Sequence, residues 1–167
     1  MFREYGVSSA FTNIGGNVAA LGARPDGSAW RVGIQHPRQP DALIGLVSVK
    51  DKAVVTSGDY QRFFADSEGN RYHHILDPAT GYPSKSGLAS VTVVTDSSGN
   101  GSMIADALST AVFIAGLDGG VALISRYPGV GALLVDAKST GAGLSVWITR
   151  NLKGCFVAAR GISAATI

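Results

Sequence analysis

Only one long segment of this chain reads as a helix. Asn100 to Ala115 is rich in alanine and leucine and stops at Gly116, while most other segments are short alternating runs separated by glycine, proline and polar turns. Hairpins beside a segregated helix imply an α+β fold: an antiparallel β-sheet with hairpins packed against one long and one or two short helices.

The remaining elements follow from turn chemistry. A short helix is expected over Met1 to Ser9, then a strand from Phe11 to Leu21 passing through Gly15-Gly16 and closed by a turn at Arg24-Pro-Asp-Gly27. Ala29 to His36 returns as its partner strand, followed by strands at Leu43 to Val49 and Ala53 to Thr56. Gln61 to Ala65 and Asn70 to Leu76 form a hairpin about Ser67-Glu-Gly-Asn70, and Leu88 to Thr95 is a further strand. Asp77 to Gly87, with two prolines and two glycines, is irregular. A second helix at Gly119 to Arg126, a strand at Gly131 to Asp136, a turn at Lys138 to Gly143 and a strand at Leu144 to Thr149 complete the pass.

The 167 residues fit one domain, 1–167, with 46% apolar and 16% charged residues, an apolar surplus that a partner would cover. The net charge is +2 with no basic run, which argues against nucleic acid as a partner but leaves room for a small anionic ligand. Cys155 is the lone cysteine, so neither an internal disulfide nor a cysteine metal cluster can form. No secretory signal opens the chain, and the most apolar stretch, Ala111 to Leu117, is too short to cross a bilayer.

Two constellations stand out. His74-Ile-Leu-Asp77-Pro-Ala-Thr80-Gly81-Tyr-Pro83 puts an imidazole at a strand end and a carboxylate and hydroxyl in a stiff loop; it reads equally as a functional loop or as an Asx-type turn over a packed histidine. His73 should face the opposite side of the strand from His74. On the long helix, Asp106 and Thr110 are four apart and share a face, with Ser102 and Ser109 close to the same line. Carboxylate and hydroxyl are hard oxygen ligands that suit magnesium. The other reading has Asp106 favouring the helix dipole and Thr110 bonding back to a carbonyl. Two weaker signals are the strand end Val55 to Tyr60, whose amides and hydroxyls suit a phosphate, and Gly15-Gly16-Asn17, either a bulge or bare backbone for a flat ligand.

Together and in this order, Asn13-Ile-Gly-Gly16, Trp30-Arg-Val-Gly-Ile34, Thr56-Ser-Gly-Asp-Tyr60, His74-Ile-Leu-Asp-Pro-Ala-Thr-Gly81 and Ala105-Asp-Ala-Leu-Ser-Thr110 resemble the ApbE family. The match runs from the first helix to beyond Ala115 and loosens after Tyr127. The resemblance implies a T-fold-related architecture and magnesium-dependent transfer of FMN from FAD, as substrate, to a threonine or serine of an acceptor flavoprotein. It implies Asp106 and Thr110 as metal ligands, and His74 and Asp106 as catalytic residues. It also implies a flavin-binding wall from Gly16, Ser57, Gly58, His74, Ile75, Asp77, Pro78, Thr80 and Gly81.

Family members are roughly twice as long, so the chain resembles their carboxy-terminal half, with a complementary amino-terminal half or self-association as a further expected partner. A truncated, non-catalytic flavin-binding module and a pyrophosphatase splitting FAD into FMN and AMP are the alternatives. The resemblance suggests a bacterial periplasmic or inner-membrane-anchored protein, cytoplasmic if the chain is complete as it stands. Finally, Gly161-Ile-Ser-Ala-Ala-Thr166 resembles the acceptor pattern such enzymes modify, although Arg160 and Ala164 depart from it; the alternative is a frayed apolar terminus.

Overall fold

Two sheets stacked face to face, with a helix laid across the back of the larger one, make up the chain. The computed structural model describes residues 2–136 and 144–167; the turn expected at Lys138 to Gly143 lies outside the described residues. After a single 3₁₀ turn at Phe2–Tyr5, β1 (Ala10–Ile14) and β2 (Asn17–Leu21) form a hairpin. The strand expected to run unbroken from Phe11 to Leu21 is therefore two. Gly15 and Gly16 take φ of 61° and 96°, and two successive positive φ values turn a chain back on itself in two residues, pairing Ile14 with Asn17.

The seven-stranded sheet has the order β1-β2-β5-β8-β9-β10-β12, where β5 is Lys52–Gly58, β8 Leu88–Asp96, β9 Gly131–Asp136, β10 Val146–Ile148 and β12 Ala164–Thr166. Opposite it lies a three-stranded sheet, β11-β4-β3, built from β3 (Trp30–Gln35), β4 (Leu43–Val49) and β11 (Phe156–Ala158). The segment expected at Ala29 to His36 thus forms a strand, but its partner is β4 and not the first hairpin. A small hairpin, β6 (Phe63–Ala65) and β7 (Arg71–His73), stands apart. The tail from Gly161, for which fraying was one reading, supplies β12, just after β11, and β12 runs parallel to β10 where only antiparallel pairing was expected.

Helix α1 spans Gly101–Ile124 with one break, at Gly116, whose φ of 75° and ψ of −171° are not helical. The expected stop at Gly116 and the second short helix are both present, joined across that kink. The joined helix is longer than the apolar stretch read from the sequence; with 24 residues, 18 of which in one run average a hydropathy of 1.8, it has the length and composition of a membrane span, although its inner face packs on β5 and β8. Alternation on the strands splits the apolar residues between two cores. Ala53, Val55, Val91, Val93 and Leu134 meet Ala105, Leu108, Val112 and Phe113 of the helix. Val18, Val54, Val94 and Leu133 meet Val32, Ile34, Ile44 and Val47 of the smaller sheet.

Candidate active site

Because Val55 packs towards the helix, Ser57, two residues on, faces the same way. Its Oγ lies 2.8 Å from Ser109 Oγ and 3.0 Å from Thr110 Oγ1. Each hydroxyl has one proton, and that of Ser109 goes to the Asp106 carbonyl at 2.9 Å. Ser57 therefore donates to Ser109 and accepts from Thr110. This relay spends the Thr110 proton inward and leaves oxygen lone pairs of Thr110 available to a ligand. One turn earlier, Asp106 is exposed on the helix, with no partner for its carboxylate among the described residues. Back-bonding to a carbonyl is thus done by Ser109, not by Thr110.

The Asp77 to Gly87 segment is held by its own hydrogen bonds. Asp77 Oδ1 accepts from the Ala79 amide at 2.9 Å, the Asp77 carbonyl accepts from Gly81 at 2.8 Å, and Thr80 Oγ1 accepts from the Tyr82 amide at 3.3 Å. Asp77 and Thr80 are therefore loop-shaping residues, with Pro78, Thr80 and Gly81 exposed at the tip. The loop and the strand end that leads into it are seated on α1 at three points. Ile75, 5% exposed, gives its side chain to the core beside Phe113. His73 lies edge-on to Phe113 at 5.5 Å between ring centroids. The Ser86 carbonyl lies 3.1 Å from where a side chain on Gly116 would begin, so the helix break is also where the loop crosses.

The two histidines separate as alternation requires. His73 is buried; its Nδ1 accepts from the Ile75 amide at 3.3 Å, which leaves the proton on Nε2 to meet the Ser84 carbonyl at 3.0 Å. His74 is exposed, and its Nδ1 lies 3.3 Å from the Arg62 carbonyl, which can only accept. That bond puts the proton on Nδ1 and leaves the Nε2 lone pair free, the tautomer that a base requires.

The remaining expected positions lie elsewhere. Gly16 opens onto a groove of about 280 Å³ between the two sheets, shared with Asn13, Thr56 and Tyr60. Gly58 is buried, and a Cβ there would come within 2.4 Å of the Tyr60 ring, so its role is to seat that ring. Burial, with the nearby Asp59 carboxylate, raises the Tyr60 phenol above its usual pKa and keeps it a donor. Ser57, Asp106 and Thr110 thus gather on the helix side with the His74 loop packed against the same helix, whereas Gly16 lies on the inter-sheet side.

Sequence reasoning passed over Arg38 and Arg71. Arg38 forks both its Nη atoms onto buried Asp59, at 2.6 and 2.8 Å, and Arg71 stands 3.9 Å from the same carboxylate. Nothing local links positions 21 residues apart; the one signal was an acidic residue at a strand end in Thr56-Ser-Gly-Asp-Tyr60.

The ApbE family profile matches residues 1–134. An FAD:protein FMN transferase of Treponema pallidum is 42% identical over 146 residues, covering 81% of this chain and 38% of that protein. One from Klebsiella pneumoniae is 38% identical, covering 80% of this chain and 39% of its own length. Among solved structures, the Pseudomonas stutzeri flavinyl transferase ApbE superposes with TM-score 0.70 at 36% identity over 94% of this chain and 46% of its own. The Vibrio cholerae flavin transferase ApbE gives 0.74 at 29% identity, over 92% and 46%. The chain spans well under two thirds of each relative, yet the family match takes in the core strands of both sheets and the long helix behind the larger one: it belongs to the ApbE family.

Proposed function

We propose that this chain carries the phosphate-side half of an FAD:protein FMN transferase site, acting on FAD and on a hydroxyl of an acceptor protein. The observation that carries the reading is the hydroxyl relay ending at Thr110, one helical turn from exposed Asp106, on the helix that also seats the His74 loop.

The donor set is all oxygen. Among the described residues there is no group of three His, Cys, Asp or Glu side chains for a metal, so a soft or tightly caged ion is disfavoured. Asp106 and Thr110 fit magnesium, which takes few protein ligands and fills the rest of its shell with water and phosphate oxygens. Bound there, it would supply neutralisation of phosphate charge.

His74, with Nε2 free, is the group to take the proton of the acceptor hydroxyl. The hydroxyl oxygen then bonds to the FMN phosphorus, the phosphoanhydride bond breaks, and AMP leaves with the electron pair. The loop from Asp77 to Gly81, fixed by its own hydrogen bonds, gives the flavin portion a stiff wall.

The test is mass spectrometry of an acceptor peptide ending in Ser-Gly-Ala-Thr after incubation with this chain, FAD and magnesium. The expected result is an FMN-sized adduct that Asp106→Ala and His74→Ala both abolish. FMN and AMP without an adduct would show water acting as nucleophile, and no turnover by the folded chain would defeat the reading for this half on its own.

A further inference from the structure

A second cavity, of about 240 Å³, opens between the His36 to Pro40 loop and the β6–β7 hairpin, with Arg38, Tyr60, Gln61, Phe63 and Arg71 among its walls. Behind two of those walls lies Asp59, whose side chain is 9% exposed, and against that carboxylate stand the guanidinium groups of Arg38 and Arg71, at 29% and 35%. Arg38 spends two Nη atoms on the carboxylate and one of them also on the Pro37 carbonyl at 3.1 Å. Arg71, at 3.9 Å, is beyond hydrogen-bonding distance of Asp59 and instead rests 4.0 Å over the Phe63 ring.

Two cations sharing one carboxylate leave the pocket with a surplus positive charge. The buried anion holds them in place while their outer N–H groups stay available. A guanidinium lying on a ring presents its donors along its edge, in the fork that matches carboxylate and phosphate oxygens. His36 adds donor capacity without adding charge. Its Nδ1 accepts from the Arg38 and Gln39 amides, both at 3.1 Å, so the proton sits on Nε2. Burial and the Arg38 charge hold the imidazole pKa below its ordinary value. Pro37, Pro40 and Phe63 supply apolar wall, and the volume exceeds what a bare oxyanion fills.

We propose that this pocket binds an organic oxyanion, a carboxylate or phosphate carried on a small apolar group, with Arg71 as the principal contact. The site does not depend on flavin transfer. Asp59 anchors the cations, Arg71 and the outer edge of Arg38 take the oxygens, and the proline and phenylalanine walls take the attached group.

Titration of the ¹⁵N-labelled chain with phenyl phosphate, with benzoate and with an N-acetyl-aspartyl dipeptide amide, followed by NMR at the arginine Nε–H and histidine resonances, tests it without FAD. The expected result is saturable binding that moves Arg71 and His36 signals, with Arg71→Gln at least tenfold weaker at an unchanged melting temperature. Phe63→Leu should also weaken binding. Tighter binding of the dipeptide would identify an acidic protein segment as the source of the anion, and tighter binding of the free acids a small molecule. No saturable binding by any of the three, or binding untouched by Arg71→Gln, overturns the proposal.

Discussion

Ser57 and Thr110 are 53 residues apart in sequence and 3.0 Å apart in space, and the direction of their hydrogen bond decides what Thr110 can do. A threonine that gives its proton to a neighbour keeps lone pairs for a ligand. Under the proposed function, Thr110→Val should therefore leave the fold nearly unchanged, since Ser57 retains Ser109, while slowing FMN transfer at least tenfold, about 1.4 kcal/mol or more in the barrier. Adduct formation against time, with melting temperature as the control, checks this. His36 is a residue whose titration bears on stability near neutral pH. Its folded pKa is lowered from 6.5, first by burial and then by Arg38, so near and just below that value the unfolded chain binds more protons. Stability is thus fully present above pH 6.5 and falls as the pH drops through the lowered folded value. The melting temperature should decline as the pH falls below 6.5, and His36→Asn should flatten that slope. The Asp106 and Thr110 pair was legible because helical spacing is local. The Ser57 relay and the Arg38–Asp59 fork were not, because each joins distant segments.

Helix α1 begins against the strand that precedes it. A Cβ on Gly101 would lie 1.6 Å from the Asp96 carbonyl oxygen, and no side-chain rotation relieves a clash with backbone. Gly101→Ala should cost stability at the upper end of about 1–3 kcal/mol, read as a lower denaturant midpoint at unchanged slope. Turns with their own chemistry were readable in advance. The Gly27 amide does bond to the Arg24 carbonyl at 2.8 Å, and β6 and β7 do pair about the Ser67 to Asn70 turn. Gly15-Gly16 was misread as a point along one strand, because a glycine pair serves equally as a bulge or a reversal until the pairing is known. β11 and β12 escaped notice because three-residue strands carry too little alternation to register, and their pairing partners lie far back in the sequence.

At the scale of the molecule, the seven-stranded sheet belongs to both cores. Leu133 and Leu134 are adjacent on β9, both fully buried, and point to opposite faces: Leu133 to the smaller sheet, Leu134 to the helix. If the shared sheet makes one cooperative unit, Leu133→Ala and Leu134→Ala should each lower the same single transition by about 2–5 kcal/mol. Two separated transitions in either variant, by near- and far-ultraviolet circular dichroism, would show that the layers unfold apart. The α+β class was legible because it needs only the types and order of elements. The stacking of a second sheet was not, since alternation shows that a strand has a buried face without saying what covers it.

The chain passes from β10 in the large sheet to β11 in the small one and back to β12 in the large one. Those last strands lace the two layers together, and β4 lacks a neighbour on one side until β11 arrives. During synthesis, then, the earlier strands emerge from the ribosome with an open seam between the layers. The third strand of the small sheet and the last of the large one are in place only after residues 146–166 have followed them out, so the edge of β4 is the last part of the seam to be covered.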